Sequence, residues 1–200
     1  MSYRHNKDHQ RLVKYYQLVE RTLVGGENSP ILSTPTNPFT IGKIRLKHIR
    51  SNDRIELIAS VDWGFIARAS ISVTNPFLSL INFDQTVRLS IIRNNRKVIY
   101  QTTDTASTLL SVSPSTSKTP LTSSQIFRTT TFKCNDSNVI TCDRKATYTL
   151  TIQALTPAIT LISSALAEPT VDFLTTTFSV FAFNIDGKVI NENTYNYHGC

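Results

Sequence analysis

A chain of 200 residues with 21 Lys and Arg against 14 Asp and Glu is one domain's worth, because all-β domains often reach this length as a unit. Its charged fraction of 18% lies below the ~25% of average globular domains, and Thr, Ser and Asn take the place of the missing charge. Such a composition offers an exposed helix few Lys–Glu pairs and suits a pleated sheet. With 6 glycines and neither Gly-x-Gly-x-x-Gly nor a P-loop pattern, the chain also lacks the two commonest nucleotide-binding signatures.

The charge is unevenly spread. Residues 1–54 hold ten Lys or Arg against four Asp or Glu, which leaves a net +1 on the remaining 146. A basic N-terminal segment can hold a polyanion. No aromatic-plus-basic module accompanies this one, so it reads as a solvated arm or a subunit contact, and nucleic acid is not an expected partner. The opening MSYRHNKDHQ is polar, no apolar signal region comes after it, and no apolar run is long enough to cross a membrane. Synthesis in the cytosol without a signal peptide, and no membrane span, are the expectations.

In chain order, Leu12, Tyr15, Tyr16, Val19 and Leu23 recur at helical spacing and predict a helical arm, although the doublets Leu12-Val13, Tyr15-Tyr16 and Leu18-Val19 would serve an extended segment as well. Gly25-Gly26, Pro30, Pro35 and Pro38 separate this segment from the rest of the chain, giving an arm and linker over 1–38. The period then becomes two. Ile55, Leu57, Ala59, Val61 and Trp63 share one face of a strand, and the segment 39–49, with Ile44, Leu46 and Ile49, pairs with it as a hairpin across Arg50–Asp53.

A second hairpin joins 87–93 to 96–103 through Asn94-Asn95, residues that accept the positive φ of a tight turn. The Ser/Thr/Pro-rich stretch 105–124 reads as a long surface loop. Further strands are expected at 125–134, 146–155 and 171–183; in 146–155, Tyr148, Leu150, Ile152 and Ala154 face inward and Thr147, Thr149, Thr151 and Gln153 outward. Without helical crossovers these segments predict an all-β antiparallel sandwich over 39–184, with a tail over 185–200.

The residues that carry chemistry are sparse. His5 and His9 have an i, i+4 spacing with no third ligand near, Asp62 and Asp84 read as surface charge, and no Gly-x-Ser-x-Gly elbow is present. Trp63 reads as core, with a sugar-stacking role as the alternative. Cys134 and Cys142 flank a seven-residue connection that a disulfide would close, against free thiols in a reducing compartment. The terminal Cys200 suits a bond between subunits, against an unpaired tail thiol.

The stretches NDRIELIASVDW (52–63), VRLSIIRNNRKVIYQT (87–102), ATYTLTIQAL (146–155) and FSVFAFN (178–184) resemble the exosporium protein C group of Bacillus-type spore-surface proteins. Asn94-Asn95 stands where that pattern has Asp-Gly, the 105–124 loop is longer than the pattern has, and the tyrosine-rich arm and Cys-terminated tail are additions. The resemblance implies a jelly-roll-like sandwich and a structural role in the exosporium or coat layer or a surface fibre, without catalytic, cofactor or metal sites. It also implies copies of the chain or other spore-surface proteins as partners, with no small-molecule substrate. Leu12, Tyr15, Tyr16 and Val19 are the candidate assembly arm. Two alternatives stand beside it: a glycan- or ligand-binding sandwich presenting Trp63, Tyr100 or the Ser/Thr loop, and a capsid-like shell protein with a nucleic-acid-binding arm.

Overall fold

The computed structural model describes residues 12–22, 37–72, 79–112, 121–137, 139, 143–163 and 170–191. Among them nine strands form: β1 (Leu12–Thr22), β2 (Phe39–Leu46), β3 (Asp53–Ser72), β4 (Ser79–Arg93), β5 (Lys97–Val112), β6 (Leu121–Asp136), β7 (Ala146–Ala154), β8 (Ala158–Ser163) and β9 (Thr170–Asn191). One sheet has the order β1-β9-β3-β6 and the other β2-β7-β4-β5, with β8 also paired to β4. All pairings are antiparallel. The pairs β1·β9, β2·β7, β3·β6 and β4·β5 nest inside one another, as when one long hairpin is wound into two layers. That is the jelly-roll arrangement of the antiparallel sandwich.

Strict alternation builds the core. On β3, Ile55, Leu57, Ala59, Val61, Trp63, Phe65 and Ala67 are all buried, and across the interior stand Phe83, Val87, Leu89 and Ile91 of β4 and Tyr148, Leu150 and Ile152 of β7. Phe65 and Phe83 meet between the layers with ring centroids 5.2 Å apart. The side between β5 and β6 is closed by Tyr100 stacked on Phe132 at 5.2 Å and by a 2.6 Å hydrogen bond between the Thr108 and Ser124 hydroxyls. Full burial of such aliphatic and aromatic side chains contributes roughly 1.5–3 kcal/mol each.

Position along β4 explains the break between β7 and β8. They lie end to end beside β4, and Pro157 between them has no N–H to give the ladder. Leu155 N–H still donates to Thr86 O, while the buried Gln85 amide donates to Thr86 O and Leu155 O at 3.0 and 2.8 Å, so the interrupted backbone remains satisfied.

Several expectations are corrected. The arm is a strand, because the inward pair Tyr15 and Val19 fits period two and β9 offers a ladder to pair with. The segments 39–49 and 54–63 are both strands but not a hairpin: β2 pairs with β7 and β3 with β6 and β9, so the connection crosses between sheets, turning at His48 (φ 61°). The loop expected over 105–124 is largely strand, since β5 runs to Val112 and β6 starts at Leu121; β-branched Thr suits the pleat, and Ala106 and Leu110 bury every fourth position. β9 continues to Asn191, past the tail boundary at 185. Thr149 and Thr151 are buried on the outer face, covered by neighbouring strands and bonded to Asn95 Oδ1 and Ser90 O.

Candidate assembly surfaces and their bracing

The hairpin of β4 and β5 turns as expected: Asn94 and Asn95 take φ of 50° and 55°, and Arg96 N–H donates to Arg93 O at 3.0 Å.

β1 lies at one end of its sheet's order, so its outer backbone edge has no strand partner among the described residues. The register places Tyr15 opposite Val189 and Val19 opposite Ile185, and both pack against the core. Tyr16 opposite Lys188 and Leu18 opposite Asp186 point away from it and are 49% and 46% exposed, and Val13 is 51% exposed. The four arm residues singled out from sequence therefore do not share a face: Tyr15 and Val19 anchor, Tyr16 is presented, and the side chain of Leu12 lies outside the described residues. Val13 and Leu18 were missed because helical spacing passes over them; read with period two, Tyr16 and Leu18 fall on one face.

Contacts with neighbouring elements fix β1. Lys14 Nζ is 2.5 Å from Oδ1 of the buried Asp53, whose other oxygen accepts Arg50 N–H at 2.8 Å. Gln17 Oε1 accepts Arg45 N–H at 2.8 Å, joining β1 to β2 of the opposite sheet, and Tyr15 meets His48 edge-on at 6.0 Å.

At the far end of the same sheet, β6 presents Phe127, 62% exposed. Its ring meets Phe181 of β9 at 5.0 Å above Gly64 of β3. A Cβ at Gly64 would stand 2.3 Å from Ile126 O, so only glycine lets β3 and β6 approach beneath these rings. Farther along this face Lys133 bridges β6 to Glu56 at 2.8 Å, and that hydrogen bond holds the Glu56 carboxyl below its ordinary range.

One buried cluster ties the two sheets. Asp136 at the end of β6 accepts Arg93 Nη1 at 3.0 and 2.8 Å and the Tyr148 hydroxyl at 2.9 Å; Arg93 and Tyr148 belong to the other sheet. Burial first, then the Asp136 charge, pushes the Tyr148 hydroxyl far above its ordinary value, and the same two causes push the buried Cys134 thiol up to about 11. A thiol so suppressed reacts slowly. Cys142 and Cys200 lie outside the described residues, as do His5 and His9, so the disulfides expected from the two cysteines stay expectations.

Both raised values favour the protonated group in the fold, so their stabilisation is complete below the unfolded pKa and is lost as pH rises. Urea midpoints are therefore expected to hold steady up to about pH 9 and to fall above it, with Cys134→Ala removing the part of the decline that runs from about 9 to 11 and Tyr148→Phe the part that begins at about pH 10 and continues upward. An identical alkaline decline in the double variant would count against the assignment.

Trp63 is fully buried, its Nε1 donating to Thr130 Oγ1 at 2.8 Å; Thr130 in turn donates to Asp104, which pairs with Arg128 at 2.9 Å. It is a core residue and cannot stack on a ligand. Asp62 accepts the Thr129 hydroxyl on one sheet and Asp84 accepts the Asn82 amide on the other, so these carboxylates are not a pair. No helix among the described residues is long and apolar enough to cross a membrane.

No family model and no curated protein matches the chain. Among solved structures, a chain of the structure of infectious bursal disease virus Gx strain aligns with 89% of this chain at 9% identity and a TM-score of 0.13. The alignment takes in 41% of that viral chain, and a similarity of this size bears on neither fold nor function.

Proposed function

We propose that this protein is a structural subunit that assembles through the edges of its four-stranded sheet, in the spore-surface layer or fibre that the sequence resemblance implies. The observation that carries the proposal is the pair of apolar edges on a filled sandwich: Val13, Tyr16 and Leu18 on β1, and Phe127 beside Phe181 on the β6 side. Edge strands of soluble proteins are ordinarily shortened, charged or covered, because unpaired N–H and C=O groups recruit another chain. Here β1 and β6 are 11 and 16 residues long, and Val13, Tyr16, Leu18 and Phe127 stand exposed on them among the charged Glu20, Arg21, Arg128 and Lys133. A neighbour's strand added to such an edge gains main-chain bonds and pockets for alternate side chains.

The ligand-binding reading loses its two aromatic candidates, since Trp63 lies in the core and Tyr100 is stacked on Phe132.

Sedimentation velocity with negative-stain electron microscopy tests the proposal. The wild-type chain is expected to form ordered oligomers or filaments that grow with concentration, and Leu18→Lys with Phe127→Ser to return it to monomer while its thermal midpoint moves little, as exposed substitutions do. A wild-type chain that stays monomeric at high concentration, in reducing and oxidising buffer alike, refutes it. Non-reducing gels of Cys200→Ser report whether a disulfide contributes.

A further inference from the structure

The fold gathers cations that are scattered along the chain. At one end of the sandwich β2, β4 and β6 stop and β3, β5 and β7 begin. The connections there are bonded to each other: Ile49 N–H donates to Arg144 O at 3.0 Å, Asn94 N–H to Thr147 O at 2.8 Å, and Thr147 N–H to Asn94 Oδ1 at 2.9 Å. They carry Lys47, Arg50, Arg96, Lys97, Arg144 and Lys145, all exposed, against the single exposed acid Asp143 among the described residues. None of the six is in an ion pair among the described residues; the other two carboxylates at this end, Asp53 and Asp136, are buried and taken by Lys14 and Arg93. Exposed Lys43 and Arg45 of β2 lead up to the same place.

The backbone there is unusual as well. His48, Asn94, Asn95 and Arg144, with φ of 61°, 50°, 55° and 51°, are the non-glycine residues at positive φ among the described residues, and all four lie at this end.

We infer that this end binds the phosphate backbone of double-stranded nucleic acid. The inference goes beyond the assembly proposal and does not depend on it. Arg50, Arg96 and Arg144 bring planar forks that match phosphate oxygens. Asn94 must turn its side-chain oxygen to Thr147 N–H, which leaves its NH₂ to donate outward. The described residues of the three connections include no Phe, Tyr or Trp, and the one ring there, His48, already meets Tyr15 edge-on, so an unpaired base or a sugar ring finds no aromatic platform of the usual kind. Contacts to phosphate without stacking describe sequence-independent duplex binding. A second copy is a poor occupant, since Glu20 and Asp143 are the only exposed acids among the side chains described.

Fluorescence anisotropy of a labelled duplex DNA, titrated with the full chain at several salt concentrations, tests this. Six phosphate contacts predict a log–log salt slope of about −5, and Lys47→Gln, Arg96→Gln and Lys145→Gln together are expected to bring it to about −3 and to weaken low-salt binding at least about tenfold. Arg4→Gln, Lys7→Gln and Arg11→Gln together should leave binding unchanged. Thermal melts of both triple variants, matching wild type, establish that the fold is intact. The inference is overturned by no binding at about 50 mM salt, by loss in the Arg4/Lys7/Arg11 variant with retention in the other, or by tighter binding to single-stranded DNA or a sulfated polysaccharide than to the duplex.

Discussion

Replacing Arg93 with Met is expected to lower the unfolding free energy by about 3–5 kcal/mol and the thermal midpoint by about 6–20 °C. Met restores most of the volume but leaves the Asp136 carboxylate, 5% exposed, with the Tyr148 hydroxyl as its remaining side-chain donor among the described residues. An uncompensated charge in that position must be carried at high cost or neutralised by taking up a proton. The effect is larger than a surface pair would give because the cluster spans the two layers near the point where β4 and β6 end. Changing Asp136 to Leu in the same chain should recover part of the loss, since an apolar pair of similar volume removes the stranded charge along with its partner. A loss below about 1 kcal/mol in urea unfolding of Arg93→Met would show that the cluster behaves as a solvated pair.

Lys14→Met should act on the arm before it acts on the rest. It strips the buried Asp53 of its cation while leaving the Arg50 N–H bond in place, so about 3 kcal/mol is a reasonable scale. β1 is an edge strand held to the core by Tyr15 and Val19, and local opening is the cheapest response. Amide exchange across Tyr15–Thr22 is expected to accelerate about a hundredfold, each tenfold corresponding to about 1.4 kcal/mol, and to stay faster than exchange in β3 and β7, whose amides wait on global unfolding. Exchange in β1 as slow as in β3 and β7 would mean that β1 does not open by itself.

What sequence made legible was the local period. The inward faces of 54–63, 87–93 and 146–155 could be read because each residue's neighbour two positions away shares its environment, and the Asn94-Asn95 turn because those side chains tolerate positive φ. Partnership was harder. Nothing in the alternation of Ile44 and Leu46 says that β2 pairs with β7, about a hundred residues on, instead of with β3 next door. The Ser/Thr stretch after 105 misled because low hydrophobicity was read as a loop, whereas β5 there needs only one buried side chain in four to hold its face. Tyr15, Tyr16 and Val19 satisfy helical and extended patterns alike until β9 supplies a ladder. Charge obeyed the same rule: counted along the chain it marks residues 1–54, but the connections of the folded molecule collect it from three separate segments.

The nested pairing also sets when the molecule can become itself. β9 lies between β1 and β3, so Leu12 meets Asn191 and Asp53 meets the same residue from the other side. A nascent chain that has not yet delivered residues 170–191 holds β1 without its neighbour and β3 with one bare flank. Such non-local closure is slow and leaves sticky intermediates waiting. The one pairing of β1 and one of the two pairings of β3 among the described residues thus wait on residues 170–191.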